Sequence, residues 1–326
     1  MSPTMHERAS SIPPTLIRRC GMATTLQVRS FQNSDRCLFW LIDMNNNNLV
    51  ELPSYELDPI RGLAPDAVAA YERDGVVSLR HAFNDTWIEL LAEGMEIAIK
   101  DGYQRNTAFN IATPGEPGFF FYDTFMWQRI DNFRKFIFDS NVSEVAATIM
   151  QSESLIFYFD FMLVKEPGTS NKTPWHYDEA YWPIKGNQIC NLWIALDDIP
   201  VQTALRFLVG SHLWSESYNP VHFDPTMDYA DLPERPRMPD WDKEPGEYEL
   251  AFSAMEPGDC LVFNSRTFHS APGNSLKTSR RRALATHWIG DDITYNDKSY
   301  ETDPPYRGEN LVHGGSMECA TFPRVR

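Results

Sequence analysis

His176 and Asp178 stand two positions apart in the stretch from Thr173 to Trp193. In an extended chain, residues i and i+2 point to the same face, so the imidazole and the carboxylate would face one cavity. Far downstream, just past an apolar run, His269 offers a third ligand. Two imidazoles and one carboxylate on one face of a metal are the ligand set of mononuclear non-haem Fe(II) centres, which leave the other coordination positions open. The spacing therefore predicts an iron site.

The His-x-Asp pair also has a simpler interpretation, a surface turn in which Asp178 orients His176. With 8 His and 45 acidic residues, such pairs arise by chance. The metal site is favoured by the arginine-rich segment from Lys277 to Ala283, which follows His269. A guanidinium binds a carboxylate through two parallel hydrogen bonds and stays charged when partly buried. One of these arginines would anchor a carboxylate cosubstrate.

Taken together, the chain resembles the phytanoyl-CoA dioxygenase-like family of Fe(II)/2-oxoglutarate-dependent oxygenases. The resemblance covers residues 65 to 300, and its segments stand in the family's order: Val164–Thr169, Trp175–Glu179, Trp193–Asp198, Gly210–His212 and His269–Arg282. It implies that His176, Asp178 and His269 bind Fe(II), with 2-oxoglutarate and O2 as cosubstrates. It also implies a mainly β fold, in which a helical N-terminal layer flanks a double-stranded β-helix, a jelly-roll of two antiparallel sheets.

The family places an arginine for the far carboxylate of 2-oxoglutarate on the strand after the second histidine. Counting back two positions from Ala283, the small residue on that strand, selects Arg281. Counting forward from His269 selects Arg280 instead. Because strand side chains alternate, only one of the two faces inward, and we expect Arg281. Trp193 matches an aromatic residue beside the cosubstrate. A hydroxyl residue that relatives often carry here is replaced by Ala271, which predicts the loss of one polar contact.

The resemblance implies oxidation of a C–H bond in a small organic molecule, with release of succinate and CO2. Related halogenases have a small residue in place of Asp178, so its presence favours hydroxylation; desaturation, epoxidation and rearrangement use the same iron site and stay open. Aromatic side chains predict a mainly apolar or aromatic substrate. The candidate pocket residues are Trp127, Tyr181, Trp182 and His287, although the closing strand favours a buried, hydrogen-bonded role for His287 over a place in the pocket.

Two further classes use the same residues. A Zn-dependent hydrolase would hold its metal with the same three ligands plus a water molecule. A catalytically silent jelly-roll would only bind a ligand. The arginine after His269 argues for the oxygenase over both, because neither alternative requires it.

Length and composition predict one large domain, which the resemblance makes the oxygenase domain over residues 51–326, and a poorly ordered extension over residues 1–50 precedes it. The net charge is −16, which argues against nucleic acid or an anionic membrane as a partner and leaves a small-molecule substrate. The five cysteines are scattered, as in a reduced cytoplasmic protein. The basic start of the chain is also compatible with a mitochondrial transit peptide.

Local patterns predict helices before strands. The segment from Ala64 to Asp74 has helical spacing and ends at Gly75, and a second helix would begin at Asn84 or Asp85. The apolar run Leu155–Val164 predicts a strand covered on both faces. The acidic, proline-containing segment 214–248 predicts a long loop, either a lid over the pocket or a solvated excursion.

Overall fold

The computed structural model describes residues 27–33, 36–42, 48–58, 62–102, 108–244, 248–303 and 309–326. Its helices are α1 (Pro65–Asp74), α2 (Asp85–Gly102), α3 (Asp131–Asp139) and α4 (Val142–Met150). Its strands are β1 (Gln27–Asn33), β2 (Arg36–Ile42), β3 (Asn48–Glu51), β4 (Ser54–Asp58), β5 (Gly62–Leu63), β6 (Val76–Arg80), β7 (Phe109–Ala112), β8 (Phe119–Thr124), β9 (Ile156–Lys165), β10 (Thr173–His176), β11 (Ile184–Lys185), β12 (Ile189–Ala195), β13 (Arg206–Leu208), β14 (Leu250–Phe252), β15 (Cys260–Asn264), β16 (His269–Ala271), β17 (Arg281–Ile289) and β18 (Thr294–Tyr295).

Two large sheets form the core. The larger sheet has the order β5-β4-β6-β15-β12-β17-β9-β8-β7, and the smaller one has the order β1-β2-β3-β14-β13-β16-β10. Neighbouring strands are antiparallel except for the pairs β3–β14 and β4–β6. Trp193 and Phe263 of the larger sheet share a buried cluster with Phe207 and Phe252 of the smaller one. This arrangement confirms the mainly β, double-stranded β-helix fold.

The four helices cover the outer face of the larger sheet. On β12, Leu192 and Ile194 belong to the same buried cluster as Phe133 and Phe136 of α3, whereas Trp193 faces the other sheet. The side-chain alternation of a strand explains why one apolar run serves both layers. The larger sheet is therefore apolar on both faces.

The turn Gly210–His212 has a structural role in this layer. Helix α1 ends at Gly75, which has φ 77° and donates its N–H to the carbonyl of Tyr71. A Cβ at Gly75 would lie 2.4 Å from Nδ1 of His212, so only glycine fits there. His212 Nε2 lies 3.1 Å from the carbonyl oxygen of Glu72. The turn thus packs under the end of α1.

The first described strands, β1 and β2, pair as an antiparallel hairpin. They extend the smaller sheet beyond β3. The predicted boundary at residue 50 falls inside β3, and residues 1–26 of the predicted extension lie outside the described residues, so the division stays a prediction. Among the described helices, none has the length and apolar character needed to cross a membrane.

Candidate active site

The two histidines of the predicted triad are neighbours across the smaller sheet. His176 ends β10 and His269 begins β16, and the two residues are register partners in this antiparallel pair. Both are buried, at 4% and 6% exposure. The pairing of two short strands therefore brings together side chains that lie far apart in sequence.

Asp178 joins them through the turn that follows β10. Tyr177 keeps extended backbone angles, so the carboxylate of Asp178 returns to the face of His176, as the spacing predicted. The N–H of Asp178 donates to the carbonyl of Ser265 at 2.8 Å, which ties the turn to the end of β15. Asp178 Oδ1 lies 3.5 Å from His176 Nε2 and 3.9 Å from His269 Nε2.

Both imidazoles are oriented by main-chain carbonyls. His176 Nδ1 lies 2.8 Å from the carbonyl oxygen of Pro174, and His269 Nδ1 lies 2.9 Å from that of Thr267. A carbonyl accepts only, so each Nδ1 carries the proton and each Nε2 offers a lone pair. One ligand atom from each of the three residues lies within 4.8 Å of the others. Two imidazole nitrogens and one carboxylate oxygen on one side of a cavity fit a facial Fe(II) site.

The ionisation of the site suits a metal. Burial, and then the proximity of His176, lower the pKa of His269 to about 4, so this imidazole is neutral near pH 7. Burial by itself would raise the pKa of Asp178, but the neighbouring His269 and His176 outweigh burial and hold that pKa below its usual value. His269 and Asp178 are therefore already in the protonation states that bind metal.

An inner cavity adjoins the triad on the side of β17. Arg281 lines it together with Trp193, and the guanidinium carbon lies 5.5 Å from the centroid of the Trp193 ring. Arg281 is 1% exposed, and its Nη1 donates to the carbonyl of Thr203 at 3.0 Å. Within the described part of the chain, its Nε has no hydrogen-bond partner and its guanidinium has no carboxylate within ion-pair distance. Burial lowers the pKa of Arg281 to about 10.

Arg280 points to the opposite face of the sheet. Its Nη1 lies 2.5 Å from a carboxylate oxygen of Glu96, and its Nη2 lies 2.7 Å from one of Glu166. These acids already pair with Arg280, whereas no carboxylate of the described residues lies within ion-pair distance of Arg281. The geometry thus favours Arg281 as the anchor for a carboxylate.

Two polar residues of this region, Thr173 and Lys165, were not identified as site residues from the sequence. Thr173 lines the inner cavity and is the register partner of Ala271, and its buried hydroxyl has no hydrogen-bond partner among the described residues. Lys165, the register partner of Arg281, is fully buried and donates to the carbonyl of Pro272 at 2.8 Å. Thr173 lies opposite Ala271 through the register of β10 and β16, and the sequence alone gives no signal for this pairing.

An outer cavity opens on the other side of the triad and is largely aromatic. Its lining consists of Phe109, Tyr122, Thr124, Phe159, Phe161, His176, Asp178, Tyr181, Trp182, Phe223, His287 and Asp303. Three of the four predicted pocket residues, Tyr181, Trp182 and His287, are among them. Trp127 lies elsewhere, against Phe138 and Phe157 beside the helical layer. We expected Trp127 in the pocket, and the structure corrects this placement.

Asn191 links Asp178 to His287. The Asn191 amide Nδ2 donates to Asp178 Oδ2, and Asn191 Oδ1 lies 2.5 Å from His287 Nδ1. The ring of His287 packs against Phe159, with centroids 4.2 Å apart, and against Trp182 at 4.9 Å. Burial lowers the pKa of His287 to about 4. Asn191 lies two positions before Trp193 on an apolar strand, a pattern that could have revealed it.

The segment 214–244 covers the outer cavity. Its Phe223 lines both cavities and packs edge-on against His176, with ring centroids 4.9 Å apart. The hydroxyl of Tyr181 donates to the carbonyl of Val221 at 2.7 Å and accepts the Val221 N–H at 3.0 Å. Phe223 lies over the pocket, whereas most of residues 225–237 are exposed, so the choice between a lid and a solvated excursion stays open.

Comparison with known sequences gives a family match over most of this region. The model of the family described as phytanoyl-CoA dioxygenase matches residues 71–283. The multifunctional dioxygenases prhA and ausE of Penicillium brasilianum are 34% and 32% identical over 82 and 90 residues, which are 25% and 28% of this chain. The matched segments are 22% and 24% of those relatives, so less than a quarter of their length is covered.

Comparison with solved structures concerns the fold. The α-ketoglutarate-dependent carbocyclase SnoK from nogalamycin biosynthesis is similar with a TM-score of 0.63 at 23% identity, covering 81% of this chain and 97% of that chain. The epimerase SnoN, solved with Fe3+, α-ketoglutarate and nogalamycin RO, has a TM-score of 0.62 at 22% identity, covering 80% of this chain and 98% of that chain. The double-stranded β-helix is thus shared over nearly the whole of both neighbours.

Proposed function

The chain belongs to the phytanoyl-CoA dioxygenase family, and from this premise we propose that it is an Fe(II)- and 2-oxoglutarate-dependent dioxygenase. The observation that carries the proposal is the convergence of His176, Asp178 and His269 beside a cavity in which Arg281 is buried without a counter-charge. A hydrolytic zinc site would have no use for that cation, whereas a dicarboxylate cosubstrate neutralises it.

The residues divide into two groups by what they would bind. The triad would hold iron, and Arg281 would bind the far carboxylate of 2-oxoglutarate through the guanidinium edge that contains Nε. Trp193 would flank the cosubstrate, and the unpaired hydroxyl of Thr173 would replace the polar contact that Ala271 cannot make. Iron and 2-oxoglutarate, when bound, would activate dioxygen for oxidation of a C–H bond, with succinate and CO2 as the other products.

The protein's own contribution is to position the substrate and to exclude water. Phe159, Phe161 and Trp182 form rigid walls of the outer cavity, and Phe223 closes it from the covering loop. Walls of this kind hold a C–H bond in one orientation beside the reacting centre, which lowers the entropic part of the barrier. They also keep bulk water from the site.

The substrate that fits best is a small, neutral and mainly apolar molecule. The outer cavity contains two carboxylates, Asp178 and Asp303, and no lysine or arginine is part of its described lining. Burial raises the pKa of Asp303, and Tyr229 donates a hydrogen bond to it at 2.6 Å. An anionic group of a substrate would lose its hydration in this cavity without a lysine or arginine of the described lining to pair with it.

Hydroxylation is the proposed outcome, because Asp178 completes the triad where halogenases of the resembling family have a small residue. A second candidate is oxidation of more than one kind at the same iron site, including desaturation, epoxidation or rearrangement. It is favoured by the two fungal relatives, whose names describe multifunctional dioxygenases. Product analysis by mass spectrometry separates a gain of one oxygen atom from a loss of two hydrogen atoms.

The test begins with the metal-free protein under anaerobic conditions. Addition of Fe(II) and 2-oxoglutarate together is expected to produce a visible metal-to-ligand charge-transfer band, and addition of either one alone is not. Admission of oxygen should then release succinate. His269→Ala should abolish the band, whereas His313→Ala, a matched change of an exposed histidine, should retain it. Tight zinc binding with no band in the unsubstituted protein would favour the hydrolase and overturn the proposal.

A further inference from the structure

Three linked side chains fix the hydrogen-bonding character of His287. The Asn191 amide turns Nδ2 toward Asp178 and donates to its Oδ2, because a carboxylate oxygen that serves a metal site is an acceptor. This orientation leaves Asn191 Oδ1 facing His287 Nδ1, at 2.5 Å. Because an amide oxygen accepts only, Nδ1 of His287 must carry a proton. The metal ligand therefore sets the tautomer of a histidine that binds no metal itself.

The other nitrogen of the ring is consequently a free acceptor. A neutral imidazole with its proton on Nδ1 has a lone pair on Nε2. His287 is 3% exposed and lies between Phe159 and Trp182, surroundings that disfavour a second proton. Its Nε2 is buried and has no hydrogen-bond partner among the described residues, yet the residue lines both the outer and the inner cavity.

A buried acceptor without a partner is costly unless a ligand supplies the donor. We propose that Nε2 of His287 accepts a hydrogen bond from the substrate, and that the substrate is an apolar ring compound with a hydroxyl or N–H group on the part that lies beside the triad. This inference rests on the proposed function and narrows it to a substrate class. His287 is thereby a specificity-determining residue, and Asn191 positions it.

Nε2 of His287 would select a hydrogen-bond donor and not polar groups in general. The aromatic lining would accept many apolar rings, but the only group that matches a lone pair in this place is a donor. A carbonyl or an ether oxygen at the same position would leave Nε2 unpaired and would add a second lone pair against it. The substrate and its methyl ether should therefore be distinguished, although the two have nearly the same apolar surface.

The tautomer can be measured without a substrate. In the zinc-loaded protein labelled with 15N-histidine, a long-range 1H–15N spectrum should show His287 protonated at Nδ1 and unprotonated at Nε2. The signal is assigned by its loss in His287→Phe or, should that variant fail to fold, in His287→Gln. A proton on Nε2, alone or together with one on Nδ1, overturns the inference.

The donor preference is tested with matched probes. The binding of 2-naphthol and 2-methoxynaphthalene, and of 4-phenylphenol and 4-methoxybiphenyl, is measured by calorimetry on protein loaded with zinc and 2-oxoglutarate. Each phenol should bind roughly tenfold or more tightly than its ether. His287→Phe should reduce that ratio to about twofold, His287→Gln should retain part of it through its amide oxygen, and exposed His313→Phe should leave it unchanged.

The outcomes separate this inference from the proposed function. The donor rule, that Nε2 of His287 selects ligands with a hydrogen-bond donor, is overturned if neither phenol binds more tightly than its ether. It is also overturned if none of the four compounds binds. A preference for the phenol that persists in His287→Phe would arise from the smaller size of the phenol, and this outcome overturns the donor rule as well. The charge-transfer band of the unsubstituted protein reports on iron and 2-oxoglutarate alone, so its loss sinks the proposed function whatever the histidine spectrum shows.

Discussion

Replacement of Arg281 by methionine is expected to change stability and cosubstrate binding in opposite directions. Arg281 is 1% exposed, and burial lowers its pKa from the ordinary value of 12.5 to about 10. At about 1.36 kcal/mol for each factor of ten, the buried charge costs the folded protein roughly 3 kcal/mol. Because the folded pKa lies below the unfolded one, this cost is present at every pH below about 10 and fades only as the pH rises through that value.

Methionine removes the charge and preserves much of the volume, but it also removes one hydrogen bond. The carbonyl of Thr203 loses its Nη1 donor, a loss of about 1 kcal/mol. The ligand-free variant should therefore be more stable than the unsubstituted protein by about 2 kcal/mol. In contrast, two charge-assisted hydrogen bonds to a carboxylate contribute roughly 3 to 5 kcal/mol, so the Kd for 2-oxoglutarate should rise by about 150-fold to 5,000-fold.

The assay is urea unfolding of the metal-free protein together with calorimetric titration of 2-oxoglutarate into the zinc-loaded protein. Arg280→Met is the matched control, because Arg280 pairs with Glu96 and Glu166 on the outer face. We expect the control to leave the Kd within about threefold of the unsubstituted value. A less stable Arg281→Met protein with unchanged 2-oxoglutarate affinity would refute the assignment of Arg281 as the anchor.

Three further predictions concern the surroundings of the site. Asn191→Ala should weaken Co(II) binding roughly 10- to 100-fold in a competition titration, because Asp178 loses the donor that orients it. Burial raises the pKa of Asp160 to about 7, so the protein should lose stability as the pH rises from about 4 to about 7. Asp160→Asn should accordingly be more stable by up to about 4 kcal/mol at pH 8 and unchanged below pH 4, as urea unfolding would reveal. Tyr181→Phe removes a hydroxyl that bonds the main chain of Val221, and hydrogen exchange of the Val221 amide should accelerate about fivefold or more; unchanged exchange would contradict this role of the hydroxyl.

The alternation of side chains along a strand allowed much of the site to be predicted from the sequence. The strand predicted after the second histidine is β17, which begins at Arg281, and Arg280 directly before it points to the opposite face, as the alternation predicted. The predicted helix through Asp74 ends at Gly75, where the left-handed backbone requires glycine. These features are local, so the sequence contains the information that specifies them.

The parts that escaped prediction depend on pairing and on loop geometry. The proximity of Thr173 and Ala271 follows from the register of β10 and β16, which is not written in either strand alone. Trp127 was misplaced because Phe125 adopts φ 56° and turns the chain out of β8, so that the indole joins the helical side. The inward position of Phe223 is set by contacts of a long loop that has no periodic pattern.

The hydroxyls of Tyr177 and Tyr181, on either side of Asp178, hold the covering loop by its main chain alone. Tyr177 donates to the carbonyl of Tyr218 at 3.0 Å and accepts the Tyr218 N–H at 3.2 Å, and Tyr181 makes the same pair of bonds with Val221. These four bonds do not depend on which side chains the loop carries. Phe223 could therefore be randomised in a directed-evolution library while these four bonds keep the loop attached. Selectivity in this protein is open to redesign at the roof of the pocket, while the iron-binding floor stays untouched.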